Sequence, residues 1–284
     1  MNETKKKKRI AIQGGFGAFH EMAAIHYFEP EEVEIVPRNT FNDLFRSLRE
    51  RKADYGILAI ENSIAGSILP NYNLLRESHR KIVGEIFLRI RHNLVALPGQ
   101  RIEDLHEVYS HPMAILQCQE FFDRYPNIRL IESVDTAMSA QEIREKELKG
   151  IGAIASELAA KMYDLEILAA GIETNPTNYT RFLVVSENGN HDIDGTKPNK
   201  SSIYFTLSHR IGSLSKILSI LSFYNMNLTK IQSLPVIGKE WEYAFYVDLI
   251  FDDLDLYRQA YHAIGPFTGE LGELGIYPVG KKII

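Results

Sequence analysis

The sequence predicts an α/β protein in which strands alternate with helices over the first two thirds, followed by a smaller βαββαβ unit. Three observations predict this. Short apolar runs alternate with helix-period segments up to residue 185; a polar, turn-forming stretch then interrupts the chain; and beyond it two helix patterns are threaded among four strand patterns. In the first segment the candidate strands lie at 10–13, 33–36, 55–60, 82–87, 93–96, 107–109, 129–131, 152–155 and 182–185. Helix starts are visible between several of them. Thr40 suits an N-cap with Asp43 at the third position, Pro112 suits the first turn of a helix running to about Tyr125, and Asp135 and Ser156 are further N-cap candidates. Alternation of this kind predicts a mainly parallel sheet, and no convincing internal repeat is visible.

The interruption is "SENGNHDIDGTKPNK", residues 186–200, whose one aliphatic residue is Ile193; it reads as an exposed linker or long loop. Domains are therefore expected at 1–188 and 201–284, with a linker at 189–200. In the second segment 202–207 is a strand, and Leu214, Ile217, Leu218 and Leu221 fall on one face of a helix. A strand at 228–234 follows, Gly238 turns the chain, and Trp241, Tyr243, Phe245, Val247 and Leu249 alternate as a third strand. A helix at 254–267 and a strand at 275–279 complete a ferredoxin-like order.

Composition narrows the function. At 284 residues, 45% hydrophobic and 24% charged, the chain reads as globular and soluble, and a net charge of -5 argues against a general binder of nucleic acid or anionic membranes. An anionic ligand would need positive charge concentrated in its site. The single cysteine, Cys118, excludes an intrachain disulfide and fits a reducing, cytoplasmic setting; its place in an apolar helical pattern marks a buried structural thiol. The opening "KKKKR" is followed by a run containing Gln13, His20 and Glu21, so no signal-peptide core forms, and nothing approaches the ~20 apolar residues of a membrane span. The basic start reads as a solvated tail.

In open α/β sheets ligands bind beyond the carboxyl ends of the strands. The residues that follow the predicted strands are Gln13 with Gly14 to Gly17, Glu61 with Asn62 and Ser63, Ser110, and Ser156. Each has an ordinary explanation as a helix cap or turn; several converging on one crevice would make a site for a small carboxylate. The glycine run lacks the third glycine and the distant acidic residue of a dinucleotide fingerprint. His20, His26, His79, His92, His106 and His111 are scattered, so metal binding is unsupported. There remains "NPTNYTRF", where Asn175 and Pro176 favour a turn, Arg181 suits bidentate pairing with a carboxylate and Thr180 suits donation to a developing oxygen. From spacing alone this reading and a plain surface loop, with Arg181 in a structural ion pair, stand level.

At these residues the chain resembles a known family. "NPTNYTRFLVV" resembles the N-x-x-N-x-T-R-F block of prephenate dehydratases, "IENSIAGSILPNYNLL" their I-E-N-S-x-x-G-S block, "SHPMAILQC" their S-H-P-x-A-x-x-Q-C block, and "AIASELAAKMYDLEIL" a fourth. "NLTKIQSLP" and "WEYAFYVDL" resemble the family's C-terminal ACT regulatory domain. The resemblance implies a two-lobed catalytic domain like a type II periplasmic-binding-protein fold, with its active site in the cleft, plus the ACT domain. It implies decarboxylating dehydration of prephenate to phenylpyruvate, in phenylalanine biosynthesis, without a cofactor. No helical segment for a fused chorismate mutase is seen, so the resemblance implies a monofunctional enzyme.

Carried onto this chain, the resemblance assigns Thr180 as donor to the leaving hydroxyl and Arg181 to carboxylate binding or loop ordering. Asn62, Ser63, Ser110 and Gln117 become lining or orienting groups. Gln13, Gly14, Glu61, Asn178, Ser156 and Phe182 complete the pocket, Phe182 packing beneath it. Gly212, Ser213, Leu214, Asn227, Leu228, Gln232 and Ser233 form an effector site for an amino acid, L-phenylalanine by the family's pattern, at an interface between ACT domains of a homodimer or homotetramer. Two departures bear on this. The first block reads Gly14-Gly15-Phe16-Gly17-Ala18-Phe19-His20, closer to the form common in arogenate dehydratases, which leaves the substrate open between prephenate and arogenate. The family's E-S-R-P appears as Gln232-Ser233-Leu234-Pro235, so the effector response is open too. A non-catalytic two-lobed amino-acid sensor is the alternative of a different class.

Overall fold

The structure is a computed structural model that describes residues 7–187, 196–236, 238–239 and 242–284. In chain order its elements are β1 (Lys8–Gln13), α1 (Phe19–Phe28), β2 (Val33–Arg38), α2 (Phe41–Arg49), β3 (Tyr55–Asn62), β4 (Gly66–Ser67), α3 (Leu69–Ser78), β5 (Lys81–Arg89) and β6 (Asn93–Ala96). Then come β7 (Glu107–Ser110), α4 (Pro112–Gln117), α5 (Gln119–Phe122), β8 (Arg129–Glu132), α6 (Thr136–Glu145), β9 (Ile151–Ala155), α7 (Glu157–Met162), β10 (Glu166–Ala170) and β11 (Tyr179–Ser186). The chain ends with β12 (Lys200–Ser208), α8 (Ser213–Phe223), β13 (Asn227–Pro235), β14 (Glu242–Ile250), α9 (Leu254–Ile264), β15 (Leu271–Tyr277) and β16 (Lys281–Ile283).

Contacts divide the chain into two units, one of residues up to Gly66 with Ile86–Phe182 and Lys282–Ile284, the other of Ser67–Glu85 with Leu183–Lys281. The division therefore does not follow chain order, and it cuts through β4, β5, β11 and β16.

The first unit is built on two sheets. One has the order β2-β1-β3-β11-β5-β16, with β4 paired to β3; the other has the order β8-β7-β9-β6-β10. Set side by side, the first five strands of each follow the same scheme: a parallel trio with the first-formed strand in the middle, then a strand delivered from elsewhere in the chain, then a fifth. This is the repeat that the sequence does not display. It is one of topology, sustained by side chains that need only be apolar and alternate. Nor are the sheets purely parallel, since β6 runs antiparallel to both β9 and β10.

In the second sheet, alternate residues of one strand serve opposite faces. Val95, Ala153 and Ala155 pack with Ala137, Ala140, Ile143 and Ala159 of α6 and α7. Their neighbours Leu94 and Ile154 pack with Ala114, Cys118 and Phe122 on the other side. A sheet covered on both faces needs apolar residues throughout, which is why 93–96 and 152–155 read so clearly as strands.

The caps form as expected. Thr40 accepts from Asp43 N at 3.1 Å, Asp135 from Ala137 N and Met138 N at 2.9 and 3.0 Å, and Ser156 from Ala159 N at 2.9 Å. The helix expected from Pro112 to Tyr125 is broken at Cys118, which adopts φ -109° and ψ 9°, and the second piece ends at Phe122. Cys118 is fully buried, and burial holds its thiol far above the ordinary range.

In the second unit β12 to β15 form one antiparallel sheet of order β13-β14-β12-β15, the ferredoxin-like arrangement. Ile203, Phe205 and Leu207 of β12 and Val247 and Leu249 of β14 pack with Ile217 and Leu221 of α8 and Tyr257, Ala260 and Ile264 of α9. Leu214 and Ile220 of α8 pack against this core, whereas the expected Leu218 is half-buried outside it. The last strand of this sheet is Leu271–Tyr277 rather than 275–279, because Pro278 has no N–H to continue the ladder. The linker expectation falls largely on residues 188–195, and the strand start at Trp241 likewise lies outside the described residues.

Candidate active site

Two crossover segments, 90–92 and 171–178, carry the chain between the two sheets of the first unit, the first from β5 to β6 and the second from β10 to β11. They lie against one another: Ile172 N donates to His92 O at 2.9 Å, and His92 N donates to the Glu173 carboxylate at 2.9 Å. The end of β3 and the start of β11 meet beside them. Ser63 N donates to Tyr179 O at 2.8 Å, Ser63 Oγ accepts from Tyr179 N at 2.9 Å, and the same hydroxyl donates to Thr177 O at 3.1 Å. Asn175 Oδ1 accepts from both the backbone and the hydroxyl of Thr177, forming the turn that its Asn-Pro sequence favours. The polar run before the apolar strand is thus a clamped turn, and it delivers Asn178, Thr180 and Arg181 at 0%, 8% and 5% exposure.

These side chains form one directed hydrogen-bond chain. Asn62 Oδ1 accepts from Ile64 N at 3.0 Å and from Ala65 N at 2.9 Å. Two backbone donors fix that atom as the oxygen, so Nδ2 faces the other way. It donates to Asn178 Oδ1 at 2.7 Å and to Thr180 Oγ at 3.0 Å. With the Asn178 oxygen so engaged, its nitrogen donates to Gln117 Oε1 at 2.9 Å. Gln117 sits at the end of α4, under the second sheet, and Thr174 N donates to its carbonyl at 2.8 Å. Thr180 Oγ accepts a hydrogen bond from Asn62 and has no acceptor for its own hydrogen among the described residues. The hydroxyl is oriented and polarised, with its hydrogen free to be given to a bound molecule.

Not every expected residue joins this cluster. Ser110 is fully buried and donates to Ile154 O at 2.8 Å. Ser156 donates to Gly17 O at 2.6 Å while capping α7. A Cβ on Gly14 would lie 2.8 Å from Asp135 Oδ2, and one on Gly17 would lie 2.7 Å from Ala159 Cα, so the glycine loop packs onto the starts of α6 and α7. Asp135 and Ser156 already accept from first-turn N–H groups of α6 and α7. Gln13 ends β1 opposite Arg38, and Glu61 is half-buried on β3 beside Asn62. Phe182 is buried in a T-shaped contact with His20, centroids 4.9 Å apart. Arg181 has its guanidinium 6.0 Å from the centre of the Phe87 ring.

Two titratable groups were not anticipated. Burial pushes His20 down to about 3. Glu21 accepts from Gly17 N at 2.6 Å, and burial raises its carboxyl although that hydrogen bond opposes the rise. In the second unit the expected effector residues fall at the start of α8 and along β13. Gly212 takes a left-handed φ of +79° in open space, and Gln232 Nε2 donates to Ser233 O at 3.0 Å.

Comparison with known proteins decides the assignment. The family model described as prephenate dehydratase matches residues 10–190. The chain belongs to the prephenate dehydratase family. Arogenate dehydratase 2 of Petunia hybrida is 39% identical, over 97% of this chain and 73% of its own length. The solved prephenate dehydratase from Arthrobacter aurescens in complex with L-Phe is 26% identical with a TM-score of 0.85, covering 95% of this chain and 89% of that one. A structure described as GqqA, a novel type of quorum quenching acylase, is 29% identical at the same TM-score, covering 96% of this chain and 98% of that one. The paired sheets of the first unit form the two-lobed fold that the family resemblance implies. The dehydratase is a lyase that removes carbon dioxide and water from prephenate to leave phenylpyruvate, a step of phenylalanine biosynthesis.

Proposed function

We propose that Thr180 assists departure of the ring hydroxyl of prephenate. In this reaction the bond from the ring to one carboxylate breaks, its electron pair enters the ring, and the C–O bond opposite breaks, so that hydroxide takes up a proton and leaves as water. Aromatisation supplies the driving force. The protein must hold a dianion and aid the leaving oxygen without over-stabilising the carboxylate that departs. The observation that carries the reading is the state of the Thr180 hydroxyl, which accepts from Asn62 at 3.0 Å and keeps its own hydrogen uncommitted. A threonine hydroxyl is far too weak an acid to act bare, so it donates a hydrogen bond or relays a proton. Asn62, Asn178 and Gln117 orient it, and Ser63 holds the strand start in register. Arg181 orders the turn or meets a substrate carboxylate, and Ser110, Ser156, Gln13, Gly14, Glu61 and Phe182 line or support the pocket.

Arogenate is the second reading for the substrate, favoured by the 39% identity to a Petunia arogenate dehydratase and by the first block's form. The catalytic domain is assigned to 1–188, the linker to 189–200 and the ACT domain to 201–284, working as a cytoplasmic homodimer or homotetramer. L-phenylalanine is its effector, in keeping with the L-Phe complex of the Arthrobacter protein. One assay tests the reading: purified protein is incubated with prephenate and separately with arogenate, following phenylpyruvate absorbance and released L-phenylalanine. Prephenate is expected to turn over with the higher kcat/KM. Preference for arogenate overturns the substrate assignment, and no turnover of either leaves the sensor reading.

A further inference from the structure

His92 stands at the far end of the hydrogen-bond chain and takes no part in the assignments above. Its Nε2 lies 3.0 Å from Gln117 Oε1. The polarity of the chain decides which atom carries the proton. Two backbone N–H groups fix Asn62; Asn62 fixes Asn178; Asn178 requires an oxygen from Gln117. The ring nitrogen facing that oxygen must then be the donor. His92 is a neutral imidazole protonated at Nε2, and its Nδ1 is buried with no hydrogen-bond partner among the described residues. Burial lowers its pKa, partly opposed by Gln117 and by the Glu173 carboxylate, which pairs with Arg89 at 3.9 Å. The residue is 3% exposed, and its ring makes a T-shaped contact with Phe19 at 5.5 Å between centroids.

The consequence falls on Gln117. Its Oε1 is held by two donors, one from each side, and its Nε2 makes no hydrogen bond among the described residues. A glutamine amide free to turn could offer either oxygen or nitrogen to a ligand; with its oxygen committed to His92 and Asn178, the nitrogen is the end left to donate. We infer that His92 is a positioning residue for the dehydratase reaction, locking the Gln117 amide so that its N–H groups face the bound dianion as donors. This rests on the reading of the Asn62–Asn178–Thr180 cluster as the active site. His92 itself touches no substrate.

The test uses the full-length protein. His92→Leu removes the donor while keeping an apolar side chain in the core, and is expected to lower kcat/KM on the order of 100-fold, the scale of a misplaced reacting partner. His92→Gln restores an N–H near the same place and is expected to recover most of that loss. In a Gln117→Leu background, His92→Leu is expected to cost less than about threefold more, because the group it positions has already gone. An equal additional loss there, or no loss in His92→Leu alone, overturns the inference. If His92→Leu fails to fold, nitrogen-15 NMR of the histidine-labelled native enzyme decides: a neutral ring protonated at Nε2 at pH 7 supports it, and a ring protonated at Nδ1, or at both nitrogens, overturns it. The underlying site assignment fails separately, if Thr180→Ala turns over normally.

Discussion

Within the candidate active site the strongest demand is placed on one hydroxyl. If Thr180 donates to the leaving oxygen, Thr180→Ala should lose about 2–4 kcal/mol of transition-state stabilisation, seen in kcat more than in KM, while Thr180→Ser keeps most of the rate. Steady-state kinetics on folded variants checks this, and near-normal turnover of the alanine variant removes the residue from the mechanism. Glu21 allows a test of a different kind. Its carboxyl titrates higher in the fold than in the unfolded chain, because burial disfavours the charge. Its contribution is therefore most favourable at low pH and is lost as pH rises through the folded value. Glu21→Gln keeps an acceptor for Gly17 N without the buried charge. Its melting temperature should exceed the parent's at pH 7.5, by a margin that shrinks toward pH 4.5; a margin independent of pH refutes the assigned cause. Of these residues, Thr180 was singled out by the turn-forming run before an apolar strand and Asn178 by the family resemblance, while spacing alone left a surface loop equally open. Glu21 and His92 were not. A single acid or histidine in a helical or apolar segment carries no local signal, and what makes it matter is a partner such as Gly17 N or Gln117 Oε1.

Elements were legible where burial is two-sided or a cap is present. Strands β6 and β9 match apolar runs, and Thr40, Asp135 and Ser156 mark their helices. Strand β10, "EILAA", was missed because it is a sheet edge with half-exposed side chains, and β16, "KKI", because charged residues suit an edge but do not announce a strand. The break at Cys118 was equally invisible, since no proline or glycine marks it. In the glycine loop, packing sets the demand for glycine. Gly17 has φ +85° and its missing Cβ would meet the backbone of Ala159, so a tight contact, rather than room for a ligand, requires glycine there. Gly99 provides the comparison, with φ +82° and nothing within 4 Å. Gly99→Ala should cost only the left-handed penalty of about 1–2 kcal/mol. Gly17→Ala should cost a further 1–3 kcal/mol or so, the usual penalty for overpacking. Urea denaturation of the two variants gives the difference; equal losses would mean that the contact with Ala159 yields freely.

The fold class was readable for the molecule as a whole, yet the repeated strand order was not, because it depends on where the chain returns. Strand β11 is made more than a hundred residues after β3, yet lies between β3 and β5 in the first sheet. Its Phe182, Leu183, Val184 and Val185 are all buried, none above 3% exposed. A sheet without it would have two open edges in its middle and would lose the apolar residues that helices α1 and α2 alone cannot replace. Strand β16, by contrast, only lengthens the same sheet at its edge. Two truncations separate these contributions. A fragment of residues 1–187 keeps β11 and lacks β16; a fragment of residues 1–175 lacks both, and the two differ by β11 and the turn that leads into it. The longer fragment should show a cooperative urea transition by circular dichroism, displaced to lower denaturant than the full chain. The shorter should show none, because the first sheet cannot close around a missing central strand. A cooperative transition of similar midpoint in both would mean that β1, β2, β3 and β5 form a stable sheet without the returning strand, and that the crossover at 171–178 serves the active site alone.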